Sequence, residues 1–151
     1  MISAEQITGL ILAGGRAQRM GGIDKGLIPF LHKPLIESTI ERLKSQVGPI
    51  VINANRNITK YAAYGYPVLM DETPDFSGPL AGFLAGLKAC RTPYLLTSPC
   101  DSPLLPKDLA ARLAQELERG DFQVVYASSK ELDDKVWAQP VFCLMRSEVA
   151  A

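Results

Sequence analysis

Leu10–Gly26 reads LILAGGRAQRMGGIDKG. The apolar run from Ile7 to Ala13 that leads into it predicts a buried strand, and Gly14 and Gly15 break that strand into a loop carrying Arg16, Arg19 and Lys25. Gly14, Gly15, Gly21 and Gly22 let backbone N–H groups approach a ligand closely, while the cations stand over the same few turns. The combination suits a polyphosphate. A glycine-rich turn after a first strand can also serve only to reverse the chain, so the motif has to be told apart from its neighbours. It is not the dinucleotide fingerprint GxGxxG, nor the P-loop GxxxxGK[ST], because Gly26 follows Lys25 where a Ser or Thr should stand.

The rest of the chain sets bounds. Its 151 residues and 47% hydrophobic content predict one globular domain with a real core. Sixteen basic and sixteen acidic residues cancel, which excludes a global field for nucleic acid or an anionic membrane. Cys90, Cys100 and Cys143 form no CxxC pair and no zinc spacing, and their odd number argues against a disulfide framework. The N-terminus lacks a signal-peptide pattern, and no apolar run approaches the roughly 18 residues needed to span a bilayer. A cytoplasmic setting is expected.

Taken in order, Leu27 to Leu31 predicts a short extended piece, followed by a helix with Pro34 in its first turn and Ile36, Ile40, Leu43 and Val47 on its core face. Ile50 to Ile52 predicts a second strand that delivers Asn53 and Asn55, and a short polar helix follows around Thr59 to Tyr64. Pro67 to Met70 predicts a third strand, handing over Asp71 and Glu72. In DFSGPLAGFLAGLKAC, Ser77 or Gly78 can cap a helix with Pro79 in its first turn; Leu80, Leu84 and Leu87 form the expected core stripe. Gly78, Gly82 and Gly86 lie on another face, against a neighbouring element or a ligand at the helix N-terminus. Tyr94 to Ser98 predicts a fourth strand ending at Asp101, then a helix from Pro106 with Leu109, Leu113 and Leu117 inward and Gly120 at its end. Phe122 to Tyr126 predicts a fifth strand, Ser128 to Lys135 a polar loop, and Val136 to Met145 a last strand that Pro140 makes an edge or bulged one.

Alternating strands and helices imply an α/β fold: a Rossmann-like three-layer α/β/α arrangement around a mostly parallel sheet with an edge or antiparallel last strand. Gly14, Asn53, Asp71 and Asp101 each fall just past the carboxyl end of a different strand, the rim where open α/β sheets bind ligands. Right-handed crossovers place the first strand between the second and the fourth, with the switch point between the Gly14 loop and Asp101. Attack on a nucleoside triphosphate at its α-phosphorus needs charge neutralised on the leaving pyrophosphate and in-line positioning of the incoming oxyanion. Arg19 and Lys25 are the catalytic candidates for holding the triphosphate, with the Gly14 and Gly15 amides as further donors. Asp101 is the candidate ligand for Mg²⁺, which prefers one or two carboxylates plus phosphate oxygens and waters; the competing role for Asp101 is a turn or helix cap. Asn53, Asp71 and the backbone near Gly78 are candidates for reading base or ribose, with loop capping as their other role. Arg16 is expected in solvent, His32 at the surface, and Cys100 as a small buried neighbour of Asp101.

The first loop resembles the LAGGxxxRMGxxDK loop of nucleotidyltransferases, and most closely that of the molybdenum cofactor guanylyltransferases. The resemblance extends to NAN at Asn53 to Asn55, the acid at Asp71, GPLAG at Gly78 to Gly82, and PCDxP at Pro99 to Pro103. It implies transfer of GMP from GTP to the terminal phosphate of molybdopterin carrying molybdenum (Mo-molybdopterin), with Mg²⁺ and release of pyrophosphate. By the same resemblance Leu12, Ala13, Gly14, Lys25, Asn53, Asp71 and Asp101 contact GTP, and Asp101 holds the metal. Proteins of molybdenum cofactor biosynthesis and molybdoenzyme maturation are the candidate protein partners. The family usually continues through a further helix and a segment linked to the pterin, whereas this sequence stops at Ala151. The expectation is therefore a single nucleotidyltransferase domain over residues 1–151 that lacks this segment, binds GTP, transfers GMP poorly and leaves apolar surface near Val141 to Met145 uncovered. The alternatives are a cytidylyl- or sugar-1-phosphate nucleotidyltransferase, which the AGG opening and GPLAG disfavour, and a non-catalytic GTP-binding maturation protein.

Overall fold

Strand β1 (Ile7–Leu12) is the centre of the molecule because its residues are apolar or small on both faces, and the sheet buries both. The computed structural model describes residues 1–14, 24–72 and 78–150. After β1 come a 3₁₀ turn (Lys25–Leu27), β2 (Pro29–Phe30), β3 (Lys33–Pro34), α1 (Leu35–Leu43), β4 (Ile50–Asn53), α2 (Ile58–Ala62), β5 (Val68–Leu69), α3 (Pro79–Ala89), β6 (Tyr94–Pro99), α4 (Leu109–Arg119), β7 (Val124–Lys130) and β8 (Val136–Arg146). The six-stranded sheet runs β5-β4-β1-β6-β8-β7. Strands β5, β4, β1 and β6 are parallel, while β8 runs antiparallel to β6 and β7 antiparallel to β8. β1 lies between the second and fourth parallel strands, as the crossover rule requires, and the switch point falls between the ends of β1 and β6.

Alternation along each strand divides the core. Ile7, Ile11, Ile52 and Leu96 face α1 and α4, with Ile36, Ile40, Leu43, Leu109, Leu113 and Leu117 packed against them. Leu10, Val51, Leu95, Cys143 and Met145 face the other side, under Phe83 and Leu87 of α3. On the first side Gly9 lets α1 come close, since a β-carbon there would stand 3.0 Å from Leu43 and Val47. Val47 is buried beyond the end of α1, which stops at Leu43. Among the described residues no helix is long and apolar enough to cross a membrane.

Several local expectations change. Of the Leu80/Leu84/Leu87 stripe of α3 only Leu87 packs against the core: Leu80 is 68% and Leu84 45% exposed, while Gly82, Ala85 and Gly86 are buried. The glycine face meets the sheet, because a β-carbon at Gly86 would stand 2.5 Å from Leu10 and one at Gly82 2.6 Å from Leu12. Pro34 is the residue before α1 rather than part of its first turn, and Leu27 to Leu31 contributes to a small hairpin whose turn residues Leu31 and His32 have positive φ. The stretch Ser128 to Lys130 is strand, paired to Val136–Ala138. For Pro140 the bulged alternative holds, in an interior rather than an edge strand: Tyr126 pairs with Cys143 and Ala127 with Gln139, so the residues between fall out of register. Thr97 satisfies that bulge, donating its hydroxyl to the Val141 carbonyl at 2.7 Å and accepting the Cys143 N–H at 3.2 Å. Cys143, Leu144 and Met145 are buried; the uncovered apolar side chains include Leu80, Leu84, Val124, Tyr126 and Val149 nearby and Val136 and Trp137 further along the β7–β8 ribbon.

Candidate active site

The carboxyl ends of the four parallel strands open into one cleft of about 480 Å³, within the ~300–1,000 Å³ range of small-molecule sites. Leu12, Ala13 and Gly14 line it from the end of β1, Asn53 and Asp71 from β4 and the turn after β5, and Pro99, Cys100 and Asp101 from β6. Gly78 and Pro79 bring in the start of α3, Asp24 and Lys25 the 3₁₀ turn, and Val141 the bulge of β8. Every sequence-predicted site residue within the described regions is therefore in this cleft. Gly15 and Arg19, like Arg16 and Ser77, lie outside the described residues. Gly78 has φ +64° with ψ −148°, a backbone state that favours glycine, and it turns the chain into α3 at the cleft wall.

The wall between β1 and β5 is a hydrogen-bonded block. Asn53 donates its amide N–H groups to the Leu69 carbonyl at 3.2 Å and to Asp71 Oδ1 at 2.8 Å. Asn55 donates to Asp71 Oδ2 at 2.9 Å and to the Gly14 carbonyl at 3.1 Å, and its Oδ1 accepts the Asp71 backbone N–H at 2.9 Å. Asn53 is 2% exposed and wedged between two glycines: a β-carbon would stand 2.8 Å from its Oδ1 at Gly14 and 2.6 Å at Gly82. The glycines of this block make room for Asn53.

On the opposite wall the acids are divided in role. Asp24 is buried, with Arg56 Nη2 2.6 Å from one oxygen and Asn57 Nδ2 2.6 Å from the other, so its charge is compensated and it ties the 3₁₀ turn bearing Lys25 to the segment after β4. Asp101 is exposed, and among the described residues no hydrogen bond or ion pair engages its carboxylate. Beneath them, burial, reinforced by the negative charge of Asp101, pushes the Cys100 thiol up to about 12. Burial likewise raises the Tyr61 phenol well above its usual range, and its hydroxyl has no partner among the described residues. The floor stays neutral, and among the described residues the acidic and basic side chains lining the cleft are Asp24, Lys25, Asp71 and Asp101.

Sequence reasoning passed over Asp24, Thr39 and the linking role of Asn55. Asp24 stands next to Lys25 in the quoted stretch, and a buried acid there needs a cation, which Arg56 provides. Thr39 carries no signal at all: it looks like one polar residue in an amphipathic helix, yet it is fully buried and bonded to the Asp101 turn.

Residues 9–151 match the model of the MobA-like NTP transferase domain, which sets the class: a nucleotidyltransferase. The molybdenum cofactor guanylyltransferase of Polynucleobacter asymbioticus is 80% identical over 149 residues, 99% of this chain and 74% of that protein. That of Cupriavidus metallidurans is 53% identical over 145 residues, 96% of this chain and 71% of the relative. The chain belongs to the molybdenum cofactor guanylyltransferase family. The fold recurs in the molybdopterin-guanine dinucleotide biosynthesis protein A of Archaeoglobus fulgidus (TM-score 0.70, 19% identity, 95% of this chain and 69% of that one). It recurs also in a CMP:2-keto-3-deoxy-manno-octonic acid synthetase complexed with CTP (TM-score 0.74, 13% identity, 97% of this chain and 76% of that one).

Proposed function

We propose that this chain, a single nucleotidyltransferase domain over residues 1–151, transfers GMP from GTP to the terminal phosphate of molybdopterin carrying molybdenum. An acceptor phosphate oxygen bonds to the α-phosphorus of GTP, the bond to the β-phosphate oxygen breaks, and pyrophosphate leaves. The observation that carries the reading is the convergence of Gly14, Lys25, Asn53, Asp71 and Asp101 on one cleft, in a chain 80% identical to a molybdenum cofactor guanylyltransferase.

Lys25 holds the triphosphate as a point charge, with the Gly14 backbone as a further donor; Gly15 and Arg19, outside the described residues, are assigned to the triphosphate from the sequence motif alone. Asp71 accepts the N1–H and N2–H₂ donors of guanine, and Asn53 holds its carboxylate. Among the described residues no three His, Cys, Asp or Glu side chains stand together as a metal cage. The exposed Asp101 carboxylate at the cleft fits Mg²⁺, which is content with one or two carboxylates completed by phosphate oxygens and water. Asp101, whose carboxylate is not engaged by another described group, would hold it. When bound, Mg²⁺ neutralises charge on the departing pyrophosphate. The three unpaired cysteines suit a reducing cytosol.

The test is a transfer assay with GTP and Mo-molybdopterin, following pyrophosphate and the guanine dinucleotide product together. Equimolar formation of both supports the reading; pyrophosphate release only with a different acceptor, or product from CTP alone, contradicts it.

A further inference from the structure

We propose that Asn55 is a positioning residue for guanine recognition, one that sets the Asp71 carboxylate and the Gly14 carbonyl in a single arrangement facing the cleft. The inference rests on the reading of Asp71 as the group that meets the base. Asp71 follows a strand of only two residues, Val68–Leu69, so the sheet itself holds it weakly. The hold comes from asparagines: each carboxylate oxygen accepts one amide N–H, Oδ1 from Asn53 at 2.8 Å and Oδ2 from Asn55 at 2.9 Å. Asn55 also accepts the Asp71 backbone N–H at 2.9 Å, so backbone and side chain of the acid are fixed by the same amide.

The second hydrogen of Asn55 Nδ2 goes to the Gly14 carbonyl at 3.1 Å, so both of its donors and its acceptor are used inside the protein. Gly14, Asp71 and Asn53 line the cleft, whereas Asn55 is not among its lining residues. Asn55 thus acts through its neighbours. A carboxylate held at both oxygens keeps lone pairs free in one plane, which matches the paired N1–H and N2–H₂ donors of guanine. Released, it can rotate and meet them singly. The link to Gly14 couples that orientation to the start of the phosphate loop, so base and phosphates are registered by one side chain.

The experiment compares GTP with ITP, which lacks the 2-amino group, as substrates for the intact chain and for Asn55→Ala, Asn55→Asp, Asp71→Ala and the Asn55→Ala/Asp71→Ala pair. Asn55→Asp keeps the size of the side chain and an acceptor for the Asp71 N–H while removing both donors, so it reports even where alanine impairs folding. The proposal expects each Asn55 variant to lower the GTP-over-ITP preference by about tenfold, mainly through KM, and the double variant to lose no more than Asp71→Ala alone. It is overturned if Asp71→Ala abolishes the preference but the Asn55 variants weaken GTP and ITP alike. If Asp71→Ala leaves the preference intact, the base-reading role of Asp71 fails first and takes this inference with it.

Discussion

The buried hydroxyl of Thr39 on α1 grips the turn that carries Asp101: it donates to the Cys100 carbonyl at 3.0 Å and accepts the Ser102 N–H at 3.1 Å. The same hydroxyl lies 3.1 Å from the Leu35 carbonyl, so its one hydrogen is shared between helix and turn. The acid proposed to hold the metal is therefore fixed from both sides by a side chain on another element. Thr39→Val keeps the volume and removes every one of these bonds, leaving the Ser102 N–H unpaired. We expect a stability loss of about 1–3 kcal/mol by urea denaturation. At saturating GTP we also expect a higher Mg²⁺ concentration for half-maximal activity. An unchanged Mg²⁺ requirement would show that the turn holds its shape without Thr39.

Gly82→Ala is expected to damage the site from outside it. The added carbon would stand 2.6 Å from both Asn53 Oδ1 and Leu12 Cδ2, closer than any real contact, and Asn53 is tied to the Leu69 carbonyl and Asp71. Either α3 moves off the sheet or the Asn53–Asp71 pair shifts. The cost of such overpacking is ~1–3 kcal/mol, and GTP affinity should fall with it. Gly86→Ala is the control, because the three atoms nearest its added carbon all belong to Leu10, a core side chain outside the Asn53–Asp71 block. Isothermal titration of GTP into both variants checks this, with the larger affinity loss expected at Gly82.

Cys100 should make stability fall in alkali. Its folded-state value near 12 lies above its ordinary value of 9.0, because burial penalises the thiolate. Below about pH 9 folded and unfolded chains both keep the proton, and the contribution is fully present. Between about 9 and about 12 the unfolded chain releases the proton and the folded one does not, so stability is lost at up to ~1.4 kcal/mol per pH unit from this group. Denaturation curves of the intact chain and Cys100→Ala should converge as pH rises through that window; a constant difference would mean the thiol is not held neutral.

The parallel half of the fold and the meeting of Gly14, Asn53, Asp71 and Asp101 at one cleft were legible in the sequence because they depend on short-range signals. A mostly apolar run marks β1, a β-branched run marks β4, and polar residues at strand ends mark the rim. The crossover rule then puts those ends together. The second half was less so. In α3 the leucines suggested the buried stripe, but a helix can be seated by its small residues when a strand and a buried asparagine press close, and Gly82 and Gly86 do that. Ser128 to Lys130 looked like loop because this end of the β7–β8 ribbon is exposed on both faces, removing the apolar alternation that marks a strand. Pro140 was legible as an irregularity but not as an interior one, since the hydroxyl that stabilises the bulge comes from Thr97, far away in sequence. The same limit hid Thr39 and Asn55, whose importance lies in partners.

The central claim is that this cleft selects GTP and uses it with Mg²⁺ held at Asp101, and titrating GTP, CTP, ATP and UTP with and without Mg²⁺ into the intact chain and Asp101→Ala tests it most directly. The account predicts tightest binding for GTP, strengthened by Mg²⁺ in the intact chain and insensitive to Mg²⁺ in Asp101→Ala. CTP binding as tightly as GTP, or an Mg²⁺ effect of the same size in the variant, would contradict it.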